Sequence, residues 1–132
     1  MITKVEMMAV LVGACPSFER HWQAFRDEWR DEADLPLYLV LGDFARHLIA
    51  QLERGQTADF ADVFAAIERI YVDGDGYVQE AATLGLLEDM QNLGLHQTTK
   101  PEQFQKYLGP VSKRWWDKLN RFWDHGELLA DD

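Results

Sequence analysis

The stretch Tyr77–Leu93, YVQEAATLGLLEDMQNL, decides the fold class. On a helix with 3.6 residues per turn, its apolar residues cover nearly every side instead of a single face. A helix of this kind is stable only when other elements cover it all round. The sequence therefore predicts that residues 77–93 form the buried central helix of a helical domain.

Start and stop signals divide the chain before this stretch into amphipathic helices. The first is expected over about 4–14, with Val5 in its apolar stripe, and it ends before Pro16. Ser17 is expected to cap the second helix. A third helix runs from Asp34–Pro36 to Gly55, and a fourth follows Thr57 or Asp59 and ends before the Asp73–Gly76 connection.

Similar signals continue after the central helix. Gly94 is expected to end it, Thr99 with Glu102 forms the pattern of a capping box for a short helix, and a last helix spans about 111–124. No segment has the pattern of a convincing strand. We therefore predict an all-α fold: a compact antiparallel domain of about six to seven helices over residues 1–124, followed by an acidic tail at 125–132. The pattern also allows HEAT-like stacking of helix pairs.

Composition limits the classes of partner. The 132 residues carry a formal net charge of −10, which repels phosphate backbones and argues against nucleic-acid binding. No apolar run approaches the roughly 20 residues that span a bilayer, so no membrane association is expected. Cys15 is the single cysteine and excludes an internal disulfide, which favours a reducing cytoplasm.

Motifs for metal binding or catalysis are absent or incomplete. Asp73-Gly74-Asp75-Gly76 resembles the start of a calcium loop, but neither possible register supplies the closing glutamate. Asp43 and His47 lie one helical turn apart, yet no further metal ligand is spaced to join them. We therefore expect no metal and no cofactor.

Charge is distributed unevenly along the chain. Residues 55–99 contain eight acidic residues against Arg69 alone, whereas residues 100–121 carry a net positive charge. This pattern predicts an acidic face, formed by Asp59, Asp62, Asp73 and Asp75, that would attract a basic partner by electrostatic steering. Of the five tryptophans, most are expected to pack in the core, with Trp29 or Trp116 left at the edge as an anchor for that partner.

Three stretches together resemble a known family. They are LVLGDFA at Leu39–Ala45, VQEAATLGLLEDMQN at Val78–Asn92, and the pattern of Tyr107-Leu108-Gly109-Pro110 with Ser112 and Trp115. The chain resembles, over about residues 36–119, a little-characterised family of small helical bacterial proteins that look like immunity partners of polymorphic toxins. The resemblance implies a toxin-binding context and no catalytic motif.

These observations lead to one function and two alternatives. The sequence predicts an immunity protein that occludes a toxin with a basic cleft, such as a nuclease, and is not itself an enzyme. The first alternative is a small enzyme or ligand-binding domain that uses Asp43, His47 and Glu88 around a pocket between the third and the central helix. The second is a helical-repeat adaptor.

Overall fold

The computed structural model describes residues 1–126 of the chain, and this part consists of α-helices linked by loops, 3-10 helices and one π-helical segment. The prediction of a compact all-α fold is confirmed. The α-helices are α1 (Lys4–Ala14), α2 (Glu19–Glu28), α3 (Leu37–Glu53), α4 (Phe60–Asp73), α5 (Gly76–Ala81), α6 (Glu88–Met90) and α7 (Pro110–His125). None of the helices within residues 1–126 has both the length and the apolar character needed to cross a bilayer.

The predicted central helix lies at the middle of the molecule. It begins as α5, widens into a π-helical segment over Ala82–Leu87, and ends as α6. We call this continuous run the central helix. It packs against α3, α4 and α7. The side chains that it buries completely are those of Val78, Ala81, Ala82, Leu86, Leu87 and Met90.

The surrounding helices turn one apolar face toward this centre. Helix α3 buries Val40, Leu41, Phe44 and Leu48, and α4 contributes the face that the sequence predicts. The buried residues of α4 are Phe60, Val63, Phe64, Ala66, Ile67, Ile70 and Tyr71. The prediction for Val5 is wrong, because Val5 is 84% exposed. Helix α1 instead turns inward the face that carries Met7, Met8, Leu11 and Val12.

Several predicted helix ends differ from those in the structure. Ser17 lies inside a 3-10 turn, Pro16–Phe18, and does not cap α2, because its hydroxyl bonds to α3 instead. Gly94 lies in a separate 3-10 turn, since the central helix already ends at Met90. The later 3-10 helix, Pro101–Tyr107, does not begin with a capping box of Thr99 and Glu102; instead the Lys100 N–H donates to Gln103 Oε1 at 2.7 Å.

The connection between α4 and the central helix is shorter than expected. Asp73 is the last residue of α4, and Gly76 already begins α5. Between them, Gly74 forms a parallel β-bridge with Ile2, whose N–H donates to the Asp73 carbonyl at 2.8 Å. The Asp75 side chain accepts the Val78 N–H at 3.0 Å and caps α5. The start of the chain is therefore fixed against this turn.

Residues 91–109 form what we call the clamped segment, which buries Phe104 in the core and is also bound by carboxylates from other helices. Glu53, at the end of α3, accepts the backbone N–H groups of Gln97, Thr98 and Thr99 through one oxygen. These bonds lower the pKa of the Glu53 carboxyl to about 2. His96 is 9% exposed and reaches the Met90 carbonyl through Nε2 at 2.9 Å.

A second carboxylate closes the far end of the clamped segment. Glu68 of α4 accepts the N–H groups of Val111 and Ser112 at 3.0 and 2.9 Å, together with the Ser112 hydroxyl at 2.8 Å. These donors lie at the start of α7, so Glu68 caps this helix from a distance of more than forty residues in sequence. Helix α7 extends to His125, where Gly126 ends it with a φ of 71°. Residues 127–132 of the predicted tail lie outside the described residues.

Candidate functional site

The four acidic residues predicted to form one face lie at the two ends of α4. Asp59 and Asp62 are at its start, and Asp73 and Asp75 are at its end. The 14 residues of α4 rise about 1.5 Å each, so the two pairs are about 20 Å apart. Asp75 is also engaged in capping α5. The structure therefore brings these residues together only in pairs.

The two tryptophans predicted as edge anchors are both in contact with the core. Trp116 is 1% exposed and lies 6.4 Å from Phe104, ring centre to ring centre, so its placement at the edge is wrong. Trp29 is half-buried and packs 6.1 Å from Phe25. The exposed tryptophan is Trp123, with 54% of its surface accessible, because the outer end of α7 extends beyond the core.

A groove of about 550 Å³ lies between the end of the central helix, the 3-10 helix Pro101–Tyr107 and the outer half of α7. We call it the acidic groove. Four carboxylates line it, those of Glu88, Asp89, Glu102 and Asp124. No Lys or Arg of the described chain lines it. Its exposed apolar side chains are Trp123 and Leu93, the latter 64% exposed.

No basic residue among those that line the acidic groove neutralises the repulsion between its carboxylates. Burial raises the pKa of Glu88, and the adjacent charge of Asp89 raises it further. A cationic group that entered the groove would reduce this repulsion. The groove can therefore accept the ammonium or guanidinium group of a basic ligand.

The charge count along the sequence did not predict this groove. Two of its acids, Glu102 and Asp124, come from within or just beyond the stretch with a net positive charge. The six basic residues of 100–121 are absent from the lining. Neighbouring side chains on a helix point in different directions, so a net charge per stretch does not locate a surface. The adjacent pair Glu88–Asp89 was the available sequence signal.

The residues of the enzyme alternative do not converge on one pocket. Glu88 lines the acidic groove, whose lining includes neither Asp43 nor His47. Asp43 Oδ2 lies 3.1 Å from His21 Nε2, and His47 Nε2 lies 2.8 Å from Ser17 Oγ. The described residues contain no group of three or more His, Cys, Asp or Glu that could hold a metal ion.

Ser17 and His21 are the residues that sequence reasoning missed at this second location. Ser17, in the 3-10 turn, precedes His21 of α2 by four residues, and Asp43 precedes His47 by four on one face of α3. The two segments run antiparallel, so Ser17 contacts His47 and His21 contacts Asp43. This match of spacing was present in the sequence.

Comparison with known proteins assigns the chain to a family. No curated protein and no solved structure shows significant similarity to it. The sequence model of one family, described as a domain of unknown function (DUF7674), matches residues 8–124. This match covers α2 to α6 completely, with most of α1 and α7. The chain therefore belongs to the DUF7674 family.

Proposed function

We propose that this protein is an immunity protein that binds a basic bacterial toxin and neutralises it by occlusion in the cytoplasm. The observation that carries the proposal is the acidic groove, in which four carboxylates face no lining Lys or Arg within the described chain. An enzyme that grips phosphate groups, such as a nuclease, presents Lys and Arg side chains in its cleft. The resemblance to immunity proteins supplies the toxin as the partner.

The composition of the groove fits the two phases of such binding. Its charge, within a chain of net charge −10, accelerates the encounter with a cationic surface. Trp123 and Leu93 then offer exposed apolar surface for close packing once the partner has docked. The acids steer the encounter, and the apolar rim lengthens the lifetime of the complex.

The experiment begins with the product of the adjacent gene, tested for co-purification with this protein and for loss of its activity on binding. Association rates are then measured at two salt concentrations. Reversing Glu102 and Asp124 to Lys should slow association about tenfold or more at low salt, and by less at high salt. Trp123→Ala should act mainly on the dissociation rate.

A matched control reverses two acids outside the groove. Asp62→Lys with Asp73→Lys changes the net charge by the same amount, and both side chains are exposed on α4. This pair should slow association much less than the groove pair. Equal slowing by both pairs would contradict the role of the groove, and an adjacent gene product that neither binds nor loses activity would contradict the function.

A further inference from the structure

A cluster of polar side chains joins the turn after α1 to α3, on elements that do not contribute to the acidic groove. Ser17 Oγ lies 2.8 Å from His47 Nε2, 3.0 Å from Gln51 Nε2 and 3.4 Å from Cys15 Sγ. Cys15 and Gln51 are buried beneath it, whereas Ser17 is exposed. The cluster therefore has a fixed interior and an accessible hydroxyl.

The directions of these hydrogen bonds follow from their donors. The amide nitrogen of Gln51 can only donate, so the Ser17 oxygen accepts that bond. The Gln51 carbonyl oxygen lies 4.0 Å from the Cys15 sulfur and accepts its S–H, which leaves the thiol proton directed away from Ser17. In the neutral tautomer that carries its proton on Nδ1, His47 accepts the Ser17 hydroxyl proton at Nε2.

The surroundings of His47 favour this neutral form. Burial lowers the pKa of its imidazole, and the charges of His21 and Arg54 lower it further. Asp43, one turn earlier on α3, is bound to His21 and to Arg46 instead. His47 is therefore neutral at neutral pH, and its Nδ1–H tautomer has the unprotonated Nε2 that a general base requires.

We propose that Ser17 is a nucleophile, with His47 as its general base, that reacts with small carboxylic esters. The Ser17 oxygen would form a bond to the ester carbonyl carbon while its proton passes to His47 Nε2. The carbon–alkoxide bond then breaks, and the alkoxide leaves with the proton from His47, which yields an acyl-serine and an alcohol. This inference does not depend on the toxin-binding function.

The test uses p-nitrophenyl acetate, whose acetyl group would be transferred to Ser17 with release of p-nitrophenol. The full chain is incubated with this ester, and the modified residue is located by peptide mass spectrometry. Ser17→Ala should abolish the acetylation at this position, and His47→Gln should slow it about a hundredfold.

The pH profile separates catalysis from a purely structural hydrogen bond. The acetylation rate should rise with pH and level off, with its midpoint below the ordinary histidine pKa of about 6.5, and this step should be absent in His47→Gln. Thermal midpoints of both variants report whether they fold. Any of three results would overturn the proposal. These are acetylation at residues other than Ser17, an acetylation rate equal to that of a free serine derivative, and a wild-type rate that does not rise with pH.

Discussion

The central helix and the clamped segment are consecutive in sequence, yet they are held in place by different interactions. The central helix is enclosed by apolar side chains of α3, α4 and α7. The clamped segment also buries Phe104, but in addition the N–H groups of Gln97 and Thr98, and those of Val111 and Ser112 just beyond it, donate to the carboxylates of Glu53 and Glu68. One region depends mainly on apolar burial, and the next adds to its apolar burial two carboxylates from other helices.

This difference teaches where stability resides and what removes it. Apolar burial is shared among many contacts, so only a drastic change at a fully buried position destroys it. A carboxylate that serves several N–H groups concentrates its contribution in one residue. It also titrates, whereas apolar packing does not. Three measurements should separate the two kinds of support, and we give them from the largest expected effect to the smallest.

The largest effect should come from a charge placed inside the central helix. Leu86 is fully buried, so Leu86→Asp should lower the free energy of unfolding by about 4 kcal/mol or more, because the carboxylate would have no partner. Urea denaturation measures this change. The matched control is Leu84→Asp, at a half-buried position in the same π-helical segment, which should cost clearly less. Equal stability of both variants would contradict the central placement.

An intermediate effect is expected at the close approach of Gly109 to Glu68. A Cβ on Gly109 would lie 2.5 Å from Glu68 Oε1, so Gly109→Ala should displace the carboxylate and cost about 1–2 kcal/mol. Glu68→Ala should cost a similar amount, since Val111 and Ser112 lose their acceptor. When both changes are combined, Gly109→Ala should cost little. Simple additivity in this double-mutant cycle would show that the two residues act independently.

The smallest effect should appear as a pH dependence due to Glu53. Its pKa is lowered from 4.5 to about 2, chiefly by the N–H groups of Thr98 and Gln97. Because the folded-state pKa is the lower one, this stabilisation is complete above about pH 4.5 and is lost as the pH falls through about 2. The difference in unfolding free energy between wild type and Glu53→Gln should shrink over that range. A constant difference, or an ordinary pKa for Glu53 by NMR, would disprove the clamp.

The same division explains how much could be predicted from sequence. Phe60, Val63, Phe64 and Ile67 recur at helical spacing, so the inward face of α4 was readable from local periodicity. The contacts of Glu53 and Glu68 could not be predicted in this way. Glu53 binds Gln97, which is 44 residues away in the sequence, and no local pattern indicates that contact. Thr99 was mistaken for a helix cap for the same reason, since its hydroxyl is bound to Glu53 and not to the next turn.

The candidate site divides in the same way. The acidic groove takes its carboxylates from three separate elements, so its existence required the tertiary arrangement. Trp116 and Trp123 are both tryptophans of α7, and only the packing of this helix shows that Trp123 is the accessible one. Ser17 and His47 were each visible as polar residues on regular elements. Their contact depends on how α3 lies against the turn after α1.

The π-helical segment Ala82–Leu87 bears on which changes of length the chain can tolerate. A π-helical turn accommodates one more residue than an α-helical turn while the helix on either side stays in phase. Deleting a single residue there would restore ordinary α-helical bonding and keep Val78 and Met90 directed into the core. The same deletion within α3 would rotate every later side chain of that helix by about 100°. Family members one residue shorter are therefore expected to carry their gap at Ala82–Leu87.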